Sequence, residues 1–262
     1  MRRRTFLGAA AVAAGGSLVT AQSVESASSA GDRRMLELRA YQVKSGQRER
    51  LDRYLQEGLL PALGRLKYPP TGVFDETTAE GETVVWVLIR HQDAGQCVRL
   101  TEQLAADAVH EAAAVEFLSG PKESAVYDRI ETSLLASFGP DWFSIDPSAA
   151  KQPRIFNLRI YESFNSATLR KKIEMFEQGE LDIFERVGLS PVFFSETIAG
   201  PRLPSITYLL TFPDDDARQA AWQTFRGDAE WQRLKAIPEY ADVKLVSRIT
   251  NILLTPVAYS QI

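Results

Sequence analysis

Arg34-Met35-Leu36-Glu37-Leu38-Arg39-Ala40-Tyr41 returns 120 residues later as Arg154-Ile155-Phe156-Asn157-Leu158-Arg159-Ile160-Tyr161. In each stretch apolar and polar residues alternate, and a period of two specifies a β-strand. Three further segments return in the same order at nearly the same shift. Phe74-Asp75-Glu76-Thr77 corresponds to Phe194-Ser195-Glu196-Thr197, Val85-Trp86-Val87-Leu88 to Tyr208-Leu209-Leu210-Thr211, and Arg129–Leu135 to Arg248–Leu254. A period this long exceeds that of solenoid repeats, so each copy is expected to be a whole small domain.

Between these strands lie two helical stripes. Leu51, Tyr54, Leu55, Leu59, Leu63 and Leu66 follow Ser45, and Leu169, Ile173, Phe176, Phe184 and Val187 follow Ser166, with the two serines placed as N-caps. Second strands are read at Thr71–Thr77 and Pro191–Ile198, third strands at Thr83–Arg90 and Ser205–Phe212, and fourth strands at Asp128–Phe138 and Val246–Thr255, with a helix before each fourth strand. Each copy therefore runs strand, helix, strand, strand, helix, strand, the ferredoxin-like order.

Helices on one face leave the other face of such a sheet bare, and the second sheet covers it most simply. The expected fold is α+β: two tandem ferredoxin-like modules, 31–138 and 154–262, forming a pseudo-dimeric α/β barrel, with 139–153 as linker. Two independent domains on a string are the competing arrangement. Edge strands left by the two sheets leave the oligomeric state open.

Residues 1–30 read as an export signal. Arg2-Arg3-Arg4-Thr5-Phe6-Leu7 precedes a short Ala/Gly-rich run, resembling a bacterial twin-arginine signal and implying a periplasmic or secreted protein. Val19-x-Ala21 and Ser28-x-Ala30 both suit cleavage, and the run is too short and weakly apolar for a stable span. Losing three arginines and one glutamate with the signal takes the formal charge from −4 to −6. An acidic chain without a clustered Lys/Arg face is not expected to bind nucleic acid. Cys97 is the only cysteine, which excludes an intrachain disulfide.

Arg159-x-Tyr161 on the first strand of the second copy is followed by Trp222-x-x-Phe225-x-x-Asp228-x-Glu230-Trp231 and an Arg248-led last strand. This pattern resembles the NIPSNAP family, a branch of the dimeric α/β barrel superfamily. The first copy departs from it. Leu100 and Gln103 align near Trp222 and Phe225, and Glu116-Phe117 near Glu230-Trp231, which puts about nine extra residues within Ala105–Ala114. The resemblance implies binding and trafficking roles; the wider superfamily also holds small monooxygenases, haem-degrading enzymes and isomerases.

Phosphate loops, paired cysteines and nucleophile elbows are absent from the sequence. His91 and His110 are the only histidines, so no metal centre is expected; each reads as a surface or capping group, with a lone haem ligand the remaining use. No cofactor or catalytic residue is named by the pattern. The candidate ligand-binding residues are Arg39, Tyr41, Arg159 and Tyr161, expected to point into the space between the sheets. There they either hold a carboxylate- or carbonyl-bearing ligand or pair with Glu37, Glu76, Glu196 or backbone carbonyls as structural glue. Trp222, Phe225 and Trp231 read as core, and Asp228 and Glu230 as caps of the next helical segment. The expected function is a binding or interaction module for an unknown small ligand or protein partner, with a cofactor-light monooxygenase or isomerase acting on a small carbonyl compound as the alternative.

Overall fold

The strand patterns read from the sequence are present, almost residue for residue, in a computed structural model that describes residues 33–77, 83–140 and 152–262. The first half contains β1 (Met35–Val43), α1 (Arg48–Arg53), α2 (Leu60–Arg65), β2 (Gly72–Glu76), β3 (Thr83–His91), α3 (Ala94–Ala106), α4 (Ala108–Leu118) and β4 (Tyr127–Ser137). The second contains β5 (Ile155–Ser163), α5 (Ser166–Met175), α6 (Leu181–Arg186), β6 (Ser190–Ala199), β7 (Ser205–Phe212), α7 (Asp215–Gly227), α8 (Ala229–Lys235), α9 (Asp242–Leu245) and β8 (Val246–Pro256). The export signal, and all of the linker except 139, 140, 152 and 153, lie outside the described residues.

The expected pseudo-dimeric α/β barrel is present, built by strands of both halves. They close into one antiparallel barrel in the order β1-β3-β2-β8-β5-β7-β6-β4. Two seams join the halves. In one, Phe74, Asp75 and Glu76 of β2 pair with Pro256, Thr255 and Leu254 of β8; in the other, β4 pairs with β6 from Leu134↔Ala199 to Ser137↔Ser195. Each half supplies its fourth strand to the second strand of the other. The expected edge strands are therefore absent among the described residues, and backbone groups that would have faced water or a partner chain are bonded within the barrel.

Closure settles which face of each strand is inside. Leu36, Leu38 and Ala40 of β1 meet Phe156 and Leu158 of β5, together with Phe74, Leu88, Phe193, Leu209, Ile252 and Leu254, in one apolar cluster drawn from both halves. This is the barrel interior. Ile262 joins it, because the segment after β8 runs back along β2 through Val257 N–H to Val73 O and Gln261 N–H to Thr71 O. At one mouth, a cavity bounded by Trp86, Glu131, Ile160 and Arg202 has a volume of about 20 Å3, room for one water. The interior side chains form an apolar core, each large one contributing roughly 1.5–3 kcal/mol.

Two separate outer cores lie between the barrel and its helices. Tyr41, Leu51, Tyr54, Leu55 and Val87 belong to the first, and Tyr161, Phe176, Phe184, Tyr208, Trp222 and Phe225 to the second. Arg39, Tyr41, Arg159 and Tyr161 therefore project outward beneath the helices, the reverse of the expected direction. They define two sites, one per half, and no shared interior one.

The helices differ from expectation in two ways. Ser45 and Ser166 are not caps: α1 follows Gln47, which makes no side-chain cap bond, and α5 is capped by Asn165, whose Oδ1 accepts from Ala167 and Thr168 N–H while Thr168 Oγ1 accepts from Asn165 N–H. Between α1 and α2, and again between α5 and α6, the chain widens into π-helical turns at Tyr54–Leu59 and Phe176–Glu180. The i→i+5 turn sets Lys172 and Glu180, eight residues apart, against each other.

The nine-residue insertion placed within Ala105–Ala114 is not there. Asp107 caps α4 and is bound by Arg65, and Asp228 caps α8 and is bound by Arg186. These matching devices fix the correspondence at 121 residues, so Thr101, Leu104 and His110 stand where Trp222, Phe225 and Trp231 stand in the second half.

Candidate functional site

In the first half, Arg39 is paired with a neighbour two residues away. Its Nε donates to Glu37 Oε1 at 2.5 Å, and the other carboxylate oxygen, Oε2, lies 2.9 Å from His91 Nε2 and 3.8 Å from Cys97 Sγ. Glu37 and His91 are both buried. Burial alone would raise the Glu37 carboxyl, but the hydrogen bond to His91 and the Arg39 guanidinium bring it down to about 2. Arg39 is raised, its own burial outweighed by Tyr41 and Glu37, and Cys97 is pushed up to about 11 by burial and by the Glu37 carboxylate. Above this network Tyr41 sits edge-on to Phe117 and Tyr127, and Tyr54 stacks on Phe117 with ring centroids 3.8 Å apart.

Register places Asn157 of β5 where Glu37 stands in β1: Glu37 pairs with Ile89 and Leu134, Asn157 with Leu210 and Leu253. The surroundings of the second arginine change accordingly. Arg159 has no carboxylate within ion-pair distance among the described residues. Its NH2 donates to Tyr161 Oη at 3.0 Å and its NH1 to Asn251 Oδ1 at 3.2 Å, while Nε is buried without a hydrogen-bond partner. The guanidinium stacks on Trp222, 4.5 Å from the ring centroid. Tyr208 Oη donates to Tyr161 Oη at 3.0 Å. The Arg159 guanidinium is raised, the Tyr208 and Tyr161 oxygens outweighing burial; Tyr208, wholly buried, is raised well above an ordinary phenol, chiefly by desolvation.

Asn157 does not reach Arg159. It accepts from Trp222 Nε1 at 3.3 Å and donates to Asn251 Oδ1 at 2.7 Å, so it sets the ring and the amide that flank the guanidinium. Access comes from β8. Ser247, Ile249, Asn251 and Thr255 are exposed, leaving part of that strand's outer face uncovered, with Asn251 beside Arg159.

Deeper beneath α5 lies a second charged group that the sequence reading missed. Lys172 Nζ is 3.2 Å from Glu180 Oε2 and 3.3 Å from Asp242 Oδ1, and Lys172 and Glu180 are almost wholly buried. The ammonium lies over Phe176, 4.9 Å from its centroid. Burial raises the Glu180 carboxyl against the pull of Lys172, while Glu180 and Asp242 together outweigh the burial of Lys172 and hold it charged.

The family-motif residues lie in the outer core and at the start of α8. Trp222, Phe225 and Trp231 are buried in the outer core, with Phe225 and Trp231 4.5 Å apart. Asp228 Oδ1 caps α8 by accepting from Glu230 and Trp231 N–H, and Arg186 binds both Asp228 and Glu230. Of the carboxylates expected as glue, only Glu37 pairs with a candidate arginine. Glu76 accepts from Trp86 Nε1 and Glu196 pairs with Arg33. Neither histidine is a surface group: His91 is 3% and His110 2% exposed, and His110 Nδ1 lies 3.1 Å from Leu104 O.

The fold with these outward sites defines an α/β barrel assembled from two ferredoxin-like halves. In the second half, residues 156–261 match the NIPSNAP family model. No curated protein matches the sequence. Among solved structures, a "putative monooxygenase" from Fusobacterium nucleatum aligns over 86% of this chain and 93% of its own, with a TM-score of 0.54 and 6% identity. A protein of the same description from Lactobacillus acidophilus covers 86% and 94%, with a TM-score of 0.54 and 10% identity. A NIPSNAP-like domain protein from Burkholderia xenovorans is 21% identical over 41% of this chain and 88% of its own, with a TM-score of 0.37. At these identities the two full-length likenesses concern the fold.

Proposed function

We propose that the chain is an exported binding module whose second half holds a small carboxylate- or carbonyl-bearing ligand against Arg159, and that its first half is a diverged copy of the NIPSNAP domain. The observation that carries this reading is the half-buried guanidinium of Arg159, which has no carboxylate at ion-pair distance among the described residues, where the equivalent Arg39 is paired with Glu37. A buried cation is costly unless an anion meets it, and a planar guanidinium suits a carboxylate. Tyr161 and Asn251 flank the approach, and Trp222 fixes the plane of the guanidinium. Arg2-Arg3-Arg4 supports export to the periplasm by the twin-arginine route.

The alternative is a monooxygenase or isomerase acting on a small carbonyl compound. It draws on the Arg159–Tyr161–Tyr208 chain, whose donors suit an oxyanion, and on fold neighbours described as monooxygenases. Native mass spectrometry of protein purified from its own host tests the binding reading. A small acid that accompanies the parent and is lost from Arg159→Ala, with the melting temperature kept, supports it. A sharp fall in stability with no ligand in either form makes Arg159 structural and ends the proposal.

A further inference from the structure

We propose that Glu37, His91 and Cys97 form a binding site for a borderline-soft divalent cation, zinc being the best match, in the first half of the barrel. Three donor types arrive from three elements: a carboxylate from β1, an imidazole from the end of β3 and a thiol from the first turns of α3. Their ligating atoms all lie within 4.8 Å of one another. Tetrahedral zinc with bonds of about 2.0–2.3 Å separates its ligands by roughly 3.3–3.7 Å. The distances of 2.9 Å from Oε2 to His91 Nε2 and 3.8 Å from Oε2 to Cys97 Sγ bracket that range, so a small opening of one contact and rotation of the thiol suffice.

Arg39 orients the carboxylate for this task. By taking Oε1 it leaves Oε2 as the oxygen facing the imidazole and the thiol, the role that outer-shell partners play around metal ligands. Thiolate and carboxylate together cancel the charge of a divalent ion, and Arg39 keeps its bond to Glu37. Three protein ligands leave a fourth position for water or a small molecule. This site is independent of Arg159 and stands or falls without it.

The test is titration of the reduced, chelator-treated full chain with cobalt(II), followed by competition with zinc(II). The expected result is one ion per chain, a near-ultraviolet thiolate-to-cobalt charge-transfer band that zinc abolishes, and a melting temperature raised by either ion. Cys97→Ser should abolish the band and weaken binding roughly 10–100-fold or more. His91→Gln should weaken binding similarly, and circular dichroism of each variant establishes that it is folded. Cys97→Ser is the decisive variant, because Cys97 is only half-buried and the change is small. Absence of the charge-transfer band in the parent, or unchanged affinity in folded Cys97→Ser, overturns the proposal.

Discussion

Glu37 and Asn157 occupy the same register position on the first strands of their halves, and one neutralises its neighbouring arginine while the other does not. Asn157 instead spends its amide on Trp222, Asn251 and the Ile252 carbonyl. The difference at this position accompanies a charge network closed by Glu37 in the first half and an arginine without a carboxylate at ion-pair distance among the described residues in the second.

Asn251→Asp should close the second site. Asn251 Oδ1 already accepts from Arg159 and Asn157, so the substitution keeps those bonds while giving Arg159 a carboxylate. A carboxylate ligand should bind at least about tenfold more weakly, a change of ~1.4 kcal/mol, with the urea midpoint held or raised. Titration calorimetry with the acid identified by native mass spectrometry measures the first effect and equilibrium unfolding the second.

The folded-state Glu37 carboxyl, at about 2, lies below its ordinary value of 4.5. A depressed carboxyl stabilises the fold above its unfolded value and loses that contribution as pH falls through the folded one. The parent should therefore lose up to about 3 kcal/mol from this group as pH drops from about 4.5 towards 2. Glu37→Gln should be less stable near neutral pH and show a flatter profile over the same window. Urea unfolding at a series of pH values reads both.

Lys172→Met should cost roughly 3–5 kcal/mol, because it leaves the Glu180 carboxylate buried and unpaired. Lys172→Met combined with Glu180→Leu should recover most of that loss, since a buried pair replaced by apolar groups of similar size is close to neutral. Additive losses in the double variant would mean that the two groups do not act as a pair.

Gly200 follows β6 at the seam with β4, with φ +152° and an added Cβ placed 2.7 Å from Ser133 Oγ and 3.2 Å from its Cα. Gly200→Ala should destabilise the barrel by about 1–3 kcal/mol. Faster amide exchange should appear first at Leu134–Ser137, where β4 meets β6, and hydrogen-exchange mass spectrometry resolves it.

Strand positions were legible because alternation in Leu36–Tyr41 and Phe156–Tyr161 is local. The direction of those side chains was not. A closed barrel wrapped by helices buries both faces of β1 and β5, so apolar content no longer tells inside from outside. Arg39 and Arg159 could be singled out by alternation alone, and Glu37, two residues from Arg39, was among the partners the sequence offered, but Cys97 beside Glu37, 60 residues away, and Asn251 beside Arg159, 92 residues away, required tertiary structure. The π-helical turns were hidden because a stretch of five or six residues is too short to separate one helical period from another. The missed correspondence of Asp107 with Asp228 followed from aligning aromatic residues, whereas the caps and their arginines mark it.

The two seams of the barrel carry a consequence for how its halves can change. Were the same ring built by two identical polypeptides, any alteration at one arginine would be imposed on the other. Here β2–β8 and β4–β6 join unequal segments of a single polypeptide, so one flank can tie its guanidinium to an internal carboxylate without forcing the same pairing on the opposite flank.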